Sequence, residues 1–153
     1  MKRHVVLHNI RSAHNVGAFF RTSDGAGISK IWLVGYTPSV IDRFGREQPE
    51  IKKTSLGATE SVAWEHVETI EEVLETLKAE QISPVAVEQH ARSISYRDFS
   101  MTGDTAFIFG NEVEGVPDSV CEACDAVIEI PMAGMKESLN VSVSGGVILF
   151  GCQ

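Results

Sequence analysis

Residues 128–146 (IEIPMAGMKESLNVSVSGG) hold the densest set of groups that could grip a ligand. Val127, Ile128 and Ile130 read as a short buried strand, and Pro131 stops it because proline has no N–H to give to a ladder. Gly134 and a lone Lys136 follow in a loop, and Ser138-Leu139-Asn140 leads into a small-residue run at helical spacing. Ser138 is the expected N-cap, with the backbone N–H groups after it facing the loop. Unpaired backbone donors and acceptors collect where a strand end turns into a helix, which suits recognition of a ligand by its polar edges. A serine hydrolase is set aside: no G-x-S-x-G elbow exists and Ser138 has no histidine near it in sequence.

Two further stretches carry reactive groups. TAFIF (105–109) reads as a central strand running into Gly110-Asn111-Glu112-Val113-Glu114-Gly115-Val116. Gly110 would let the backbone approach a ligand and Gly115 would take a positive φ. Glu112 either caps the helix after Pro117 or pairs with a basic neighbour. Near the amino terminus, Val16, Phe19, Phe20 and Ser23 recur at helical spacing, with Asn15 the expected N-cap. Arg21 lies six residues on, nearly two turns along and on a neighbouring face. Cys121 and Cys124 form a C-x-x-C, but a zinc site needs two more ligands and no second pair appears, so free thiols are expected.

These residues need elements to position them. Val5-Val6-Leu7 and Ile31-Trp32-Leu33-Val34 read as strands on either side of the first helix, which implies parallel pairing. Residues 61–67 alternate as a strand. Residues 69–80 form the clearest helix, with Ile70, Val73, Leu74 and Leu77 on one face and a Thr69/Glu72 capping box. Residues 84–88 are another buried strand. Strands alternating with helices give an α/β fold with a mainly parallel sheet flanked by helices. Residues 36–49 read as an unstructured loop, and connections of that length are usually functional. Its Arg43 and Arg46, with Lys52 and Lys53 just beyond, are expected to meet phosphates. Gly145 and Gly146 cost a helix about 1–2 kcal/mol relative to alanine, and permit close approach of another backbone.

At 153 residues the chain reads as one domain with core enough to need no metal or disulfide. It has no apolar run of membrane-spanning length and no signal-peptide pattern, so a cytoplasmic location is expected. The net charge of −8 argues against a strong nucleic-acid binder, but its distribution is uneven. Residues 1–53 hold nine of the thirteen Lys/Arg and only four of the twenty-one Asp/Glu. A local basic surface is therefore compatible with an acidic whole.

Three motifs in order resemble the signatures of the TrmH-like branch of the SPOUT RNA methyltransferases. Asn9-x-Arg11 with Asn15-x-Gly17-Ala18 and Arg21-Thr22 resembles the first. Phe109-Gly110-x-Glu112-x-x-Gly115-Val116 resembles the second. Ile130-Pro131-Met132-x-Gly134 with Ser138-Leu139-Asn140-Val141-Ser142 resembles the third. Ser12 departs from the aspartate the family commonly has after the first arginine.

The resemblance implies a single SPOUT domain over 1–153 with no separate RNA-binding extension. It also implies a carboxy-terminal trefoil knot, and a homodimer whose interface uses the first and last helices. It implies S-adenosylmethionine as cofactor, at Val87, Gly110, Ile130 and Leu139, and a ribose 2′-hydroxyl of tRNA or rRNA as acceptor, with no metal. The donor is already activated, so the protein must bind it, place the hydroxyl in line and remove a proton. Arg21 is the implied central catalytic residue, with Asn15, Glu112, Ser138 and Asn140 orienting it and the substrate. Its role stays open: a guanidinium is a poor base but a good partner for a phosphate and a developing alkoxide. Arg11, Arg43, Arg46, Lys52 and Lys53 are the expected RNA contacts. The rival is a non-catalytic RNA-binding or S-adenosylmethionine-sensing protein on the same fold. The acidic balance favours that rival, and the intact five-residue set favours the enzyme.

Overall fold

A computed structural model describes all 153 residues. The strands are β1 (Arg3–His8), β2 (Lys30–Val34), β3 (Ala63–Val67), β4 (Ser83–Val87), β5 (Ile94–Ser95), β6 (Thr105–Phe109) and β7 (Ala126–Glu129). The helices are α1 (Ala13–Ala26), α2 (Pro49–Ser55), α3 (Ala58–Ser61), α4 (Ile70–Ala79), α5 (Asp118–Ala123) and α6 (Val141–Gly151). One sheet runs β3-β2-β1-β6-β4-β7-β5, and every pairing in it is parallel. β6 is its middle strand and all five of its residues are buried.

Side chains alternate across each strand and divide the core in two. Val5, Leu7, Ile31, Leu33, Phe107 and Phe109 meet Phe19 and Phe20 of α1 and Ile148 and Leu149 of α6. Val6, Trp32, Val34, Ala106 and Ile108 meet Ile70, Val73 and Leu77 of α4 and Val120 of α5. Strands covered on both faces read as continuous apolar runs, which is why VVL, IWLV and TAFIF stand out in the sequence.

Both helix starts near the motifs differ from the sequence reading. Ser12 caps α1, its hydroxyl accepting the Asn15 N–H at 3.1 Å, so Asn15 lies inside the first turn. Asn140 caps α6, its carbonyl accepting from Ser142 N at 2.9 Å and Val143 N at 3.4 Å, and Ser138 lies before the cap. In both places two candidate caps stand close together, and the side chain that reaches the second or third helical N–H wins. The capping box of α4 is present as expected. β5 and the 3-10 turn after it (Tyr96–Asp98) have no periodic signal in so short a run.

Three long-range devices hold the helices in place. An added Cβ at Gly145 would lie 2.4 Å from the Phe19 ring, so this glycine admits a side chain of α1 and not another backbone. Arg3 donates from Nη1 to the carbonyls of Leu149 (2.7 Å) and Cys152 (3.2 Å), and from Nη2 to that of Ala26, closing the ends of α6 and α1 together. Arg92 likewise donates to the carbonyls of Cys121 (2.9 Å) and Cys124 (3.4 Å) at the end of α5. Those cysteines are free and buried, and burial pushes the Cys121 thiol up to about 11 and the Cys124 thiol to about 12. They are structural thiols.

The connection from β2 to α2 is not the unstructured loop expected. Ile41 and Glu47 bridge antiparallel, Asp42 N donates to Arg46 O at 2.8 Å, and Gln48 N donates to Val40 O at 2.9 Å. The result is a small hairpin. No helix is long and apolar enough to cross a membrane.

Candidate active site

In open parallel sheets ligands bind outside the carboxyl ends of the strands, where the strand order reverses. Here β1 leads outward to β2 and β3, while β6 beside it borders β4, β7 and β5 on the other side. The loops leaving β4, β6 and β7 and the start of α6 enclose a cavity of about 460 Å³ at that end. Val87, Gly110, Ile130 and Leu139, the four expected cofactor positions, all line it. Glu112, Ser138 and Asn140 line it as well. Four acidic residues, Glu88, Glu112, Glu114 and Glu129, are among those that line this cavity, and no lysine or arginine is.

Glu112 neither caps the next helix nor pairs with a basic side chain. Its two oxygens accept the backbone N–H groups of Arg11 and Ser12, each at 2.9 Å, and the Asn15 amide donates to it at 3.5 Å. Partial burial pushes this carboxyl up. The donated hydrogen bonds outweigh that and leave it below the ordinary value, so it stays an anion. The second motif thus clamps the start of the first.

Two residues that the sequence reading passed over build the loop. Asn111 donates from Nδ2 to the Asn9 carbonyl (3.0 Å) and to the Tyr36 hydroxyl (2.8 Å). Its Oδ1 accepts from Val113 N (2.8 Å) and Glu114 N (2.9 Å), folding the turn on itself. Glu88 accepts from Val116 N at 2.9 Å, and its carboxylate lies where a Cβ on Gly115 would be, 2.1 Å away. Gly115 has φ +72, as expected. Gly110 lines the cavity, and its missing Cβ also makes room for the backbone of Gly115 and Val116, 2.3–2.4 Å from where that atom would lie. Asn111 sits between two motif residues, where a pattern written with an open position conceals it. Glu88 has no cue beyond following a buried strand.

Arg21 is not brought to this cavity. It lies on the exposed face of α1, about 9 Å along the axis from Asn15. It has no acidic partner within 4 Å. Among the expected RNA contacts, Arg11 and Lys53 are exposed without an acidic partner. Arg46 donates to Asp42 at 2.9 Å and Lys52 to Glu47 at 2.8 Å, so half of the four-cation cluster is already paired. Arg43 lies over the Phe44 ring.

The profile of the SpoU rRNA Methylase family matches residues 2–150. The chain belongs to this family. The 23S rRNA (guanosine-2′-O-)-methyltransferase RlmB of Escherichia coli K12 is 36% identical over 146 residues, which is 95% of this chain and 57% of the relative. The chain thus spans little more than half the length of the curated relatives it matches. Among solved family structures, an rRNA methyltransferase from Sinorhizobium meliloti with AdoMet bound superposes with a TM-score of 0.89 at 28% identity, covering 98% of this chain and 55% of that one. The TrmH/SpoU tRNA modifying enzyme of A. aeolicus gives 0.84 at 29% identity, covering 98% and 73%. The parallel sheet flanked by helices is therefore the SpoU/SPOUT fold.

Proposed function

We propose that this domain transfers a methyl group from S-adenosylmethionine to a ribose 2′-hydroxyl of RNA, with ribosomal RNA the substrate favoured by the curated relatives. The observation that carries the reading is the electrostatics of the cavity. A site lined by four acidic residues and by no lysine or arginine carries negative potential and suits a cationic ligand. A sulfonium carrying an ammonium group is such a ligand. It supplies an activated methyl group, so the chain is left with positioning and proton handling.

The residues present fit that ligand. Val87, Ile130 and Leu139 give apolar walls, and the loops at Gly110, Ile130 and Leu139 offer backbone groups to an adenine edge. Glu112 holds the Arg11–Ser12 turn beside them, and with it the start of α1. A ribose entering over this turn meets Ser138 and Asn140 as orienting groups, while Asn15, buried and held by Glu112, acts from behind the turn. Arg21 acts as a cation, holding the ribose phosphate and stabilising the alkoxide as its proton leaves.

Arg21 reaches that position from a second copy of the chain. The support is threefold: it lies on an exposed face, it is absent from the cavity lining, and apolar side chains stand exposed on and beside α6. Leu139, Val143 and Phe150 are 37%, 52% and 54% exposed. The Phe150 ring lies 3.5 Å from a Cβ placed on Gly25, so α6 and the end of α1 present one continuous face. We assign the homodimer to that face. The family reading also assigns a trefoil knot to the segment that ends in α6.

Mapping ribose methylation in total tRNA and rRNA, with and without the gene, tests the activity. Loss of one 2′-O-methyl nucleotide that returns with the wild-type gene and not with Leu139→Asp is the expected result. Unchanged maps, together with no S-adenosylmethionine binding in calorimetry, leave only the fold.

A further inference from the structure

The hairpin between β2 and α2 carries an aromatic ring where solubility gives no reason for one. Phe44 sits at its tip and is 66% exposed. The guanidinium carbons of Arg43 and Arg46 lie 4.8 and 5.0 Å from the ring centroid. The tip is built and not slack. Asp42 Oδ1 accepts from Phe44 N (2.8 Å) and Arg46 N (3.0 Å), while its Oδ2 accepts from Arg46 Nε (2.9 Å). Gly45 closes the turn at φ +78, donating to the Asp42 carbonyl at 3.0 Å. One carboxylate thus fixes the turn and holds the Arg46 guanidinium over the ring.

The root of the hairpin is anchored next to the catalytic motifs. Val40 is buried in the core. Thr37, 2% exposed, donates from Oγ1 to the Leu7 carbonyl at 2.8 Å and accepts from Ile10 N at 3.0 Å. Ile10 precedes Arg11, whose N–H Glu112 holds. The finger and the active-site turn are therefore tied to the same end of β1.

We propose that residues 42–46 form a stacking finger: an unpaired nucleobase of the RNA takes a place over the Phe44 ring that a guanidinium now holds, and Arg43 and Arg46 turn from the ring to the flanking phosphates. The proposal rests on the RNA reading above and adds a contact that reading lacks. An exposed ring flanked by guanidinium groups matches a base between phosphates: a π-face for the base and positive charge for its neighbours. An apolar peptide or a second copy of the chain would meet charge where it needs apolar surface. Ion pairing already neutralises Arg46 and Lys52 in part, so the ring and not the charge supplies most of the grip.

The test is fluorescence titration of a mixed-sequence single-stranded RNA of about 20 nucleotides carrying one 2-aminopurine, with the duplex of the same sequence alongside. The wild-type protein should quench the probe and prefer the single strand. Phe44→Leu should weaken single-strand binding roughly 5- to 150-fold, the range of one base–aromatic stack. The slope of log K against log salt should stay the same, because no phosphate contact is lost. Phe44→Trp should restore binding. Asp42→Ala separates the finger from plain electrostatics: removing a negative charge should tighten binding to a basic loop, and should weaken binding to a finger that has lost its brace. Undiminished affinity in Phe44→Leu, or tighter binding in Asp42→Ala, overturns the proposal. So does weaker self-association of Phe44→Leu in sedimentation, which would assign the ring to an interface between copies. If wild-type protein methylates RNA while Phe44→Leu binds as well as it does, the finger alone fails. If wild-type protein binds no RNA, both readings fail together.

Discussion

Glu112 shows how one carboxylate links two motifs that stand about a hundred residues apart in the chain. Its folded-state pKa is depressed, so the stabilisation it gives is complete above the ordinary carboxylate range and is lost as pH falls through the depressed value. The Arg11 and Ser12 amides should therefore keep their NMR shifts from neutral pH down through the ordinary carboxylate range and move only below it. In Glu112→Gln this acid transition should vanish. Glu112→Ala, which leaves two backbone donors to water, should cost about 0.5–1.5 kcal/mol in denaturant unfolding. Of this site the sequence showed the residue but not its partners. Two peptide N–H groups carry no side-chain signature, so reading side chains alone led to a helix cap or a basic neighbour instead. Asn15 and Ser138 were misplaced by a few residues for a related reason: every polar residue near a helix start is a plausible cap, and only geometry selects one.

Among elements, α6 was legible as a small-residue helix, but what its glycines face was not. Gly145 meets Phe19, which is fully buried with its ring tilted against that of Phe109, centroids 4.9 Å apart, while nothing lies within 4 Å of a Cβ on Gly146. Overpacking costs about 1–3 kcal/mol, more than the ~1 kcal/mol an alanine returns in helix propensity. Gly145→Ala should thus lower Tm, and Gly146→Ala should raise it slightly; equal shifts would refute the assigned packing of α1 on α6. The Pro, Gly and charge content of the β2–α2 connection points to a loop, because a hairpin held by one aspartate has no periodicity to detect. Its pairing also changes what charge removal should do. Arg43 and Lys53 are without acidic partners whereas Arg46 and Lys52 are partly neutralised by theirs, so replacing all four by glutamine should lower the salt slope by fewer than four contacts' worth, at ~0.7–0.9 per contact. S-adenosylmethionine affinity, measured by calorimetry, should not change.

For the whole molecule, parallel pairing followed from strand–helix alternation, but the strand order did not. Nothing local in TAFIF says that β6 inserts between β1 and β4; that placement comes from which faces must be covered once all the strands are present. The same limit applies to Arg21, which no reading of one chain brings to the cavity. In the proposed isologous dimer, which packs the α1/α6 face of one copy on that of the other, each site is built from two chains, with Leu139 from one and Arg21 from the other. Arg21→Ala and Leu139→Asp should each lose methyl transfer, the former by at least ~100-fold with cofactor binding intact. Unfolding and refolding the two variants together should then restore activity. In a random mixture half the dimers are mixed, and each mixed dimer holds one site with both defects and one with neither, so about a quarter of wild-type activity should return. Sites made within one chain predict no recovery at any ratio, because every site would still carry one defect. The refolded mixture should also bind S-adenosylmethionine at about half of its sites, since Leu139→Asp disables the cavity of its own chain in either arrangement. Binding at half occupancy with no recovered activity would place Arg21 in the same chain as the cavity it serves, and would require α1 to move toward that cavity when RNA binds.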